Sequence, residues 1–421
     1  MSAAARDEAA RPVHLHPCGG AFWQVRGGFE APVRLLASRK TAEARRVDGT
    51  LAALRPVSRL PGLVPPITAL PALAHAHGVP HGVVLVTDQA AEGVVVPAAA
   101  GHDIGAGVQA LALPWEAAEI RPRADALANA LREALETRRM RLDDAKLDGA
   151  CTGGMAWANR QGWGEPREHN ACDNGGIVTG ADAAMLSPVA RSRGQAQFGL
   201  LAGERTHVGI FEVTARDETD TLGLSPGQAV LVITAGSRGM GYQITEEAIE
   251  SMARAGIQHR IPLVQRALAC VPVHTREGRD YLAAMAAAVN FAAAHRRCLA
   301  ARAVEMMSGH LGPAMAPVGP VLLTDQVHHC VRIGLLRENG TPRPVLIHRK
   351  GCTALDDGPG RPRFLATGPG GRACLAIPAR GAHATFYSAG TVNHARDKNA
   401  LLNAGAVRIV AGLREIVRVY P

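Results

Sequence analysis

With 421 residues, 47% of them hydrophobic and 20% charged, the chain can bury a large core and has the charge content of an ordinary soluble protein. Its 46 Lys and Arg residues exceed its 37 Asp and Glu residues, and the net charge of +9 favours an anionic partner such as nucleic acid. Aromatic residues make up only 4% of the chain, so the composition shows no platform for stacking single-stranded bases.

The N-terminal residues and the cysteines predict a cytoplasmic protein. The stretch MSAAARDEAARPV carries acidic residues where a signal peptide needs an apolar run, so we expect a flexible tail over about residues 1–12. The longest apolar run, 281–294, is too short and too rich in alanine to cross a bilayer, which predicts no membrane partner. The eight cysteines have neither CxxC nor zinc-ribbon spacing and are expected to be free thiols in a reducing compartment.

Short apolar runs alternate with helical patterns along the chain. The β-branched runs predict strands at 83–87, 229–234, 320–324, 344–348 and 374–378. Helices are predicted at about 124–146, 245–256 and 279–308, the second with Thr245 as its N-cap. The Gly- and Pro-rich segment 356–372 is expected to form a loop or a hairpin insertion. We therefore predict a mixed α/β fold, organised as one domain over residues 1–421.

Two histidine- and aspartate-containing motifs are candidates for a metal site. In GHDIGAG (101–107) the glycines let the backbone approach closely, and Asp103 has the oxygen ligands that a hard cation prefers. The alternative for Asp103 is an acid that caps a turn. In TDQVHHCVRI (324–333) the adjacent His328 and His329 must point in different directions, so one can be a ligand while the other supports it or faces solvent. A purely structural pair is the alternative there.

Two further motifs are candidates for binding an anion. TAGSRGMGYQIT (234–245) follows a predicted strand and opens a predicted helix, so its backbone amides can cradle an anion and Arg238 can add a bidentate contact. It is not a Walker sequence, because no GK[ST] follows. HRKGCT (348–353) puts Arg349 and Lys350 just past a predicted strand, either as a phosphate clamp or as a solvated basic turn.

Taken in order, these segments resemble the RtcB family, the GTP-dependent RNA ligases that join a 3′-phosphate or 2′,3′-cyclic phosphate RNA end to a 5′-hydroxyl end. GHDIGAGVQAL looks like the family's GYDINCGVR, VLVITAGSRGMGYQI resembles VMIHSGSRGLGHQ, and THVGIFEV is similar to the region ending in GSGNHFxE. AAAVNFAAAHRRCLA is similar to the AMNYAxANR helix, DQVHHCVRI to the HHN motif, HRKGCT to HRKGAT and IPARGA to IPGSMG. The resemblance implies an RtcB-like α/β domain with a central cleft for a metal and a nucleotide.

The resemblance also implies the contents of that cleft: Mn²⁺ or another divalent metal, and GTP, with RNA and a guanine nucleotide as partners. The implied metal ligands are Asp103, His329, His328 and His207, with His102 as a further candidate. His329 is preferred over His328, because Cys330 then takes the place of the motif's asparagine. The implied nucleotide- and phosphate-binding residues are Glu212, Arg238, Arg349, Lys350 and Gly381.

The chain departs from the family pattern at several metal ligands. Ala106 stands where the family has the cysteine of DINCG, and Thr234 stands where it has the histidine of IHSGSRG. The histidine of NHFxE aligns with Gly209, and His207 lies two residues earlier. A two-manganese cluster is hard to build from such a set, so we expect at most one metal ion.

The nucleophile motif HGAGR, whose histidine is guanylylated in the family, does not occur in the chain. One alignment offers His394 of NHARDK as the catalytic residue. A second alignment, preferred because it needs one gap, deletes the nucleophile loop between about Tyr387 and Thr391. It matches the C-terminal residues to the family's final helix and strand, and it places Tyr420 where the family has a guanine-contacting lysine.

Two functions remain open at this point. The first is an RNA ligase that uses GTP and a divalent metal. The second is a catalytically degenerate paralogue that binds RNA ends or a nucleotide without ligation, or carries out other single-metal phosphate chemistry. The retained motifs favour the first, whereas the lost ligands and the missing nucleophile motif favour the second.

Overall fold

The computed structural model of the protein describes residues 11–137, 140, 142–203, 206–216, 222–312, 319–338, 341–354, 363–367, 372–378, 386–388 and 407–421. The strands are β1 (His14–Pro17), β2 (Phe22–Arg26), β3 (Val33–Leu36), β4 (Leu63–Ala74), β5 (His81–Asp88), β6 (Val94–Val95), β7 (Gly107–Glu116), β8 (His207–Arg216), β9 (Gln228–Ala235), β10 (Val271–Pro272), β11 (Val321–Val327), β12 (His329–Glu338), β13 (Thr341–Lys350), β14 (Cys352–Ala354), β15 (Arg363–Thr367), β16 (Arg372–Pro378), β17 (Phe386–Ser388) and β18 (Val407–Val419). The α-helices are α1 (Arg39–Val47), α2 (Pro97–Ala100), α3 (Ala117–Ile120), α4 (Ala124–Glu136), α5 (Asp144–Arg160), α6 (Pro188–Gln197), α7 (Gly239–Gln258) and α8 (Arg276–Leu311).

Two large sheets organise the described residues. The first has the strand order β1-β2-β3-β4-β5-β13-β12, and the second has the order β11-β7-β9-β8-β18-β16-β15. Neighbouring strands are antiparallel except for β3 and β4. The central strands β5 and β9 are nearly continuous apolar runs, because both of their faces are covered. The predicted mixed α/β class is confirmed.

The long helix α8 forms the core of the described structure. Thr275 caps its N-terminus by accepting a hydrogen bond from the backbone N–H of Gly278 at 3.1 Å. Every residue from Ala284 to Ala300 is buried, which is the pattern of a helix packed on all sides. The small alanine side chains of α8 let α4, α5 and α7 approach it closely. Helix α8 also packs against β9.

The predicted strands lie in β5, β9, β11, β13 and β16, and the helix predicted at 279–308 is α8; these predictions are confirmed. The helix predicted at 124–146 is wrong in extent, because α4 ends at Glu136 and Asp143 caps a new helix by accepting from the Lys146 N–H. Thr245 is not an N-cap. Helix α7 begins six residues earlier, at Gly239, and the buried Thr245 hydroxyl donates to the Gly101 carbonyl.

Parts of other predictions lie outside the described residues. The hairpin expected within 356–372 is seen as β15, which pairs with β16, whereas 355–362 and 368–371 lie outside the description. Residues 1–10 of the expected tail also lie outside it. All eight cysteines are free. Within the described ranges, no helix combines the length and the apolar character needed to cross a membrane. The single-domain organisation stays a prediction.

Two buried histidines are held neutral in the fold. The Nδ1 atom of His295 accepts the Gly199 N–H at 2.9 Å, and the Nε2 atom of His348 accepts the Val96 N–H at 3.1 Å. Burial lowers the pKa of each side chain to about 3. Because an unfolded histidine titrates near pH ~6.5, these two side chains become protonated below that pH in the unfolded chain but stay neutral in the folded chain. The stabilisation is therefore complete above pH ~6.5 and is lost progressively as the pH falls toward 3.

We expect each of these histidines to lower the free energy of unfolding by about 1 kcal/mol between pH ~7 and ~5.5. Urea unfolding at the two pH values measures this loss. His348→Gln is the matched variant, because its amide oxygen can still accept the Val96 N–H but cannot titrate. The variant should lose less stability than the parent over the same pH interval. An identical pH dependence in the two proteins would contradict the assignment.

Candidate functional site

Asp103 lies in the turn between α2 and β7 and is paired with an arginine. Its Oδ1 atom accepts the backbone N–H of Arg238 at 2.7 Å, and its Oδ2 atom accepts Nη1 of the same residue at 2.8 Å. Arg238 lies three residues after the end of β9 and directly before the first turn of α7. The two carboxylate oxygens of the predicted metal ligand therefore both contact Arg238, one through its backbone N–H and the other through its guanidinium.

The surrounding backbone is built around this pair. Arg238 has φ +55° and ψ −130°, a conformation that favours glycine and costs a larger residue roughly 1–3 kcal/mol. A Cβ atom at Gly236 would lie 2.3 Å from Asp103 Oδ1, and one at Gly203 would lie 1.5 Å from Arg238 Nη2. The two glycines leave the space that the ion pair fills. The strained arginine persists because Asp103 holds both its backbone and its side chain.

The predicted pair His328 and His329 adjoins the same turn. The backbone N–H of Gly105 donates to the His329 carbonyl at 2.8 Å, and the His328 N–H donates to the Ala106 carbonyl at 2.8 Å. His329 Nδ1 lies 3.2 Å from the Asp103 carbonyl oxygen. The structure thus brings His329 next to Asp103 through the backbone of the aspartate and not through its carboxylate.

Arg349 and Lys350 are buried within a strand, so their predicted position just past a strand is wrong. Strand β13 continues through Lys350, whose Cα pairs with those of His329 and Val83. Arg349 is fully buried and its Nη2 donates to Cys330 Sγ at 3.0 Å. Lys350 is also buried, and its Nζ donates to the His77 carbonyl at 2.8 Å. Three consecutive polar residues suggested a loop, but neighbouring strands cover both sides of β13.

His207 lies at the start of β8, opposite the end of β9 that leads to Gly236 and Arg238. Its Nε2 atom is 3.3 Å from the Thr234 hydroxyl across the β8–β9 pair, and Thr234 is two residues before Gly236 on the Asp103 side. Burial, with a smaller contribution from Arg418, lowers the pKa of His207 to about 4. The ring of Tyr420 lies 5.8 Å from the His207 ring, between centroids. His207, Thr234 and Tyr420 therefore form a cluster beside the Asp103 turn.

Glu212 is oriented differently from His207. The two residues are five positions apart in β8, and side chains alternate between faces along a strand, so they lie on opposite faces. The carboxylate of Glu212 accepts hydrogen bonds from Arg121 and from Arg414. The structure brings Glu212 together with these arginines rather than with the Asp103 turn.

A buried arginine that the sequence reasoning missed joins the elements of the site. Arg296 of α8 donates through Nη1 to the Gly105 carbonyl at 2.7 Å and to the Ala235 carbonyl at 3.0 Å. Its Nη2 and Nε atoms donate to the Asp325 carboxylate at 2.6 and 3.1 Å. Gln109 donates to the same carboxylate. The sequence does contain a signal for this residue, because Arg296 is a charged residue within an otherwise apolar predicted helix.

The described residues do not fit a metal cluster. Among them, no group of three or more His, Cys, Asp or Glu side chains is arranged to hold a metal ion. Ala106 offers no ligand atom, and the Asp103 oxygens both contact Arg238. A divalent ion at Asp103 would have to displace the guanidinium. The predicted residues Gly381 and His394 lie outside the part of the chain that the structure describes.

Comparison with known proteins gives one consistent result. Residues 53–378 match the family model described as tRNA-splicing ligase RtcB. The RNA-splicing ligase RtcB of Mycobacterium tuberculosis is 36% identical over an alignment of 310 positions, which covers 70% of this chain and 70% of that protein. The tRNA-splicing ligase RtcB of Archaeoglobus fulgidus is 31% identical over 337 residues, 77% of this chain and 69% of that protein. The one of Pyrobaculum aerophilum is 28% identical over an alignment of 428 positions, which covers 98% of this chain and 87% of that protein.

Proposed function

This chain belongs to the RtcB family, and from that premise we propose that it is an RNA ligase. It would join an RNA 3′-phosphate or 2′,3′-cyclic phosphate end to a 5′-hydroxyl end, with GTP and a divalent metal as cofactors. The observation that carries the proposal is the meeting of distant motifs at Asp103. Segments around Arg238 and His329, more than a hundred residues further along the chain, hydrogen-bond directly to the Asp103 turn.

We assign Arg238 to the RNA phosphate or to the nucleotide phosphate. It lies at the N-terminus of α7, a 20-residue helix whose dipole favours an anion there. Two of its donors are used by Asp103, and its side chain is 18% exposed, so a ligand can reach the rest of the guanidinium. The carboxylate thus orients a guanidinium that keeps donor capacity for an incoming phosphate. The buried Arg349 and Lys350 lie in β13 opposite Cys330 and His329 of β12.

We propose fewer metal ions for this chain than the two-manganese cluster considered from the resemblance. Asp103 and His329 are the retained candidates, and with Arg238 on the carboxylate we propose at most one ion. Manganese accepts the oxygen and imidazole ligands that these two residues offer. Because the described residues fit no cluster, we assign no step of the reaction to a metal.

His394 is the candidate nucleophile under the alignment that is not preferred. His394 lies outside the described residues, as do residues 389–391, where the preferred alignment places the deletion. The final strand that this alignment requires is present as β18, and Tyr420 follows it beside His207. We place the protein in the cytoplasm, where its eight free cysteines would stay reduced.

A ligation assay tests the proposed function. We expect the purified protein, given GTP and manganese, to join one RNA that ends in a 3′-phosphate to a second that begins with a 5′-hydroxyl. Gel electrophoresis of end-labelled RNA measures the product. The same RNA with a 3′-hydroxyl end and a reaction without GTP are the controls, and both should give no product.

Failure to join any pair of ends, together with retained RNA binding, would contradict the ligase and favour the non-ligating paralogue. The intact mass after incubation with GTP shows whether a covalent guanylate forms. Repeating that measurement with His394→Ala identifies whether His394 carries it. A guanylate that survives this substitution would assign the nucleophile to another residue.

A further inference from the structure

Three rings and an arginine form a continuous row beside Asp103. The ring centroid of His77 lies 5.6 Å from that of His102, which lies 5.1 Å from that of Tyr242. The guanidinium of Arg193 lies 5.9 Å from the centroid of the Tyr242 ring, over its face. We call these four residues the ring row. His102 precedes Asp103 directly, so the row leads away from the candidate site.

The ring row is assembled from four separate segments and opens to solvent. His77 comes from the connection between β4 and β5, His102 from the Asp103 turn, Tyr242 from the first turn of α7 and Arg193 from α6. Tyr242 is 49% exposed. His77 and Arg193 are exposed as well. An exposed line of rings offers stacking surfaces to a partner that presents flat faces.

Charge around the ring row favours an anionic partner. Lys350 donates to the backbone carbonyl of His77, and Arg193 covers the far end of the row. Glu246 also contacts the row: its carboxylate lies 2.7 Å from His102 Nε2, to which it is hydrogen-bonded. The chain as a whole has a net charge of +9. Rings combined with cations are the means by which proteins bind single-stranded RNA.

The family motifs have a ring-containing residue at both positions of the His102–Tyr242 contact. The family motifs GYDIN and GLGHQ have a tyrosine where this chain has His102 and a histidine where it has Tyr242. In this chain the two ring types are exchanged relative to the motifs, and the two ring centroids lie 5.1 Å apart. A surface that needs two adjacent flat faces is satisfied by either arrangement.

We propose that the ring row binds the unpaired nucleotides next to the RNA end that reaches Asp103, with bases stacked on His77 and Tyr242 and a phosphate on Arg193. The inference rests on the proposed function, because it assumes that an RNA end enters this site. It adds a single-stranded requirement: the nucleotides beside the end must be free to unstack from a duplex. A helical RNA end would not present its base faces to the rings.

Binding of a short single-stranded oligoadenylate with a 3′-phosphate tests the ring row. We expect Tyr242→Ala to weaken this binding by about tenfold, since each stacked base contributes roughly 1–3 kcal/mol and 1.4 kcal/mol is a factor of ten. Tyr242→Phe should bind as the parent does, because it keeps the ring. Fluorescence anisotropy measures the affinities, and thermal unfolding confirms that each variant is folded.

Ile257→Ala is the matched control, because Ile257 is 79% exposed at the other end of the same helix. It should leave the affinity unchanged. His77→Ala is the second test variant and should weaken binding in the same direction as Tyr242→Ala. Unchanged affinity in both test variants would overturn the ring row, even if the protein ligates RNA.

An abasic ribose-phosphate strand of the same length separates stacking from charge. Parent and Tyr242→Ala should bind it equally weakly, because it offers no base to stack. An equal loss of affinity for the abasic strand and for oligoadenylate would mean that Tyr242 acts on the backbone, and would overturn the proposal. A selective loss for oligoadenylate in a protein that fails the ligation assay would support the ring row and contradict only the ligase.

Discussion

Replacing Arg296 by methionine is expected to lower the free energy of unfolding by about 3–5 kcal/mol. Arg296 is fully buried and makes a bidentate contact with the buried carboxylate of Asp325. Methionine fills much of the same volume but leaves that charge inside the protein with only the amide of Gln109 as a side-chain partner among those described. Urea unfolding of the parent and the variant at neutral pH measures the change.

Arg254→Met is the matched control for Arg296→Met. Arg254 pairs with Glu250 on the surface of α7, where its side chain is 70% exposed. Exposed pairs of this kind contribute only about 0.2–1 kcal/mol, so the control should stay within that range. Removal of both charges in Arg296→Met with Asp325→Leu should restore part of the lost stability, because no uncompensated charge remains. A loss of less than about 1 kcal/mol for Arg296→Met would contradict the role of the pair.

The elements that were predicted from sequence are those in which local pattern and burial agree. Helix α8 is alanine-rich and lacks Gly and Pro over its buried stretch, and β9 is a run of β-branched residues covered on both faces. The start of α7 was missed because GSRGMG has the composition of a loop. A glycine is needed at position 241 for steric reasons, because a Cβ atom there would clash with the Ser237 hydroxyl oxygen. Tertiary packing, which sequence periodicity does not contain, decides that boundary.

The candidate site, like the fold, was predicted from the sequence only in part. The motif resemblance predicted Asp103, Arg238 and His329, and the structure brings these three residues together. It did not predict that Arg238 pairs with Asp103, because that contact joins positions 135 residues apart. Nor did it predict the burial of Arg349, since a charged triplet at a strand end usually faces solvent. Long-range pairing of charges is the part of the site that only the folded chain specifies.

The pairing of Asp103 with Arg238 makes a strong prediction for activity. Asp103→Asn is expected to reduce the rate of RNA joining at least about a hundredfold, the cost of a misplaced reacting group. An asparagine amide has one oxygen and one NH₂ group, so in either orientation it faces one of the two Arg238 donors with another donor. The guanidinium is then no longer held in place, and Asp103 also loses the charge that a metal ion would need. The ligation assay measures the rate.

Glu250→Gln is the control for Asp103→Asn, because it makes the same chemical change in an exposed ion pair. It should ligate at the parental rate. RNA affinity gives a second readout: Asp103→Asn should still bind single-stranded oligoadenylate, since the ring row is intact, while joining fails. A variant that joins RNA as fast as the parent would show that Asp103 serves the fold of the turn and not the reaction. Because a carboxylate that only capped this turn could be replaced by an amide at small cost, the two outcomes separate the structural role of Asp103 from the functional one.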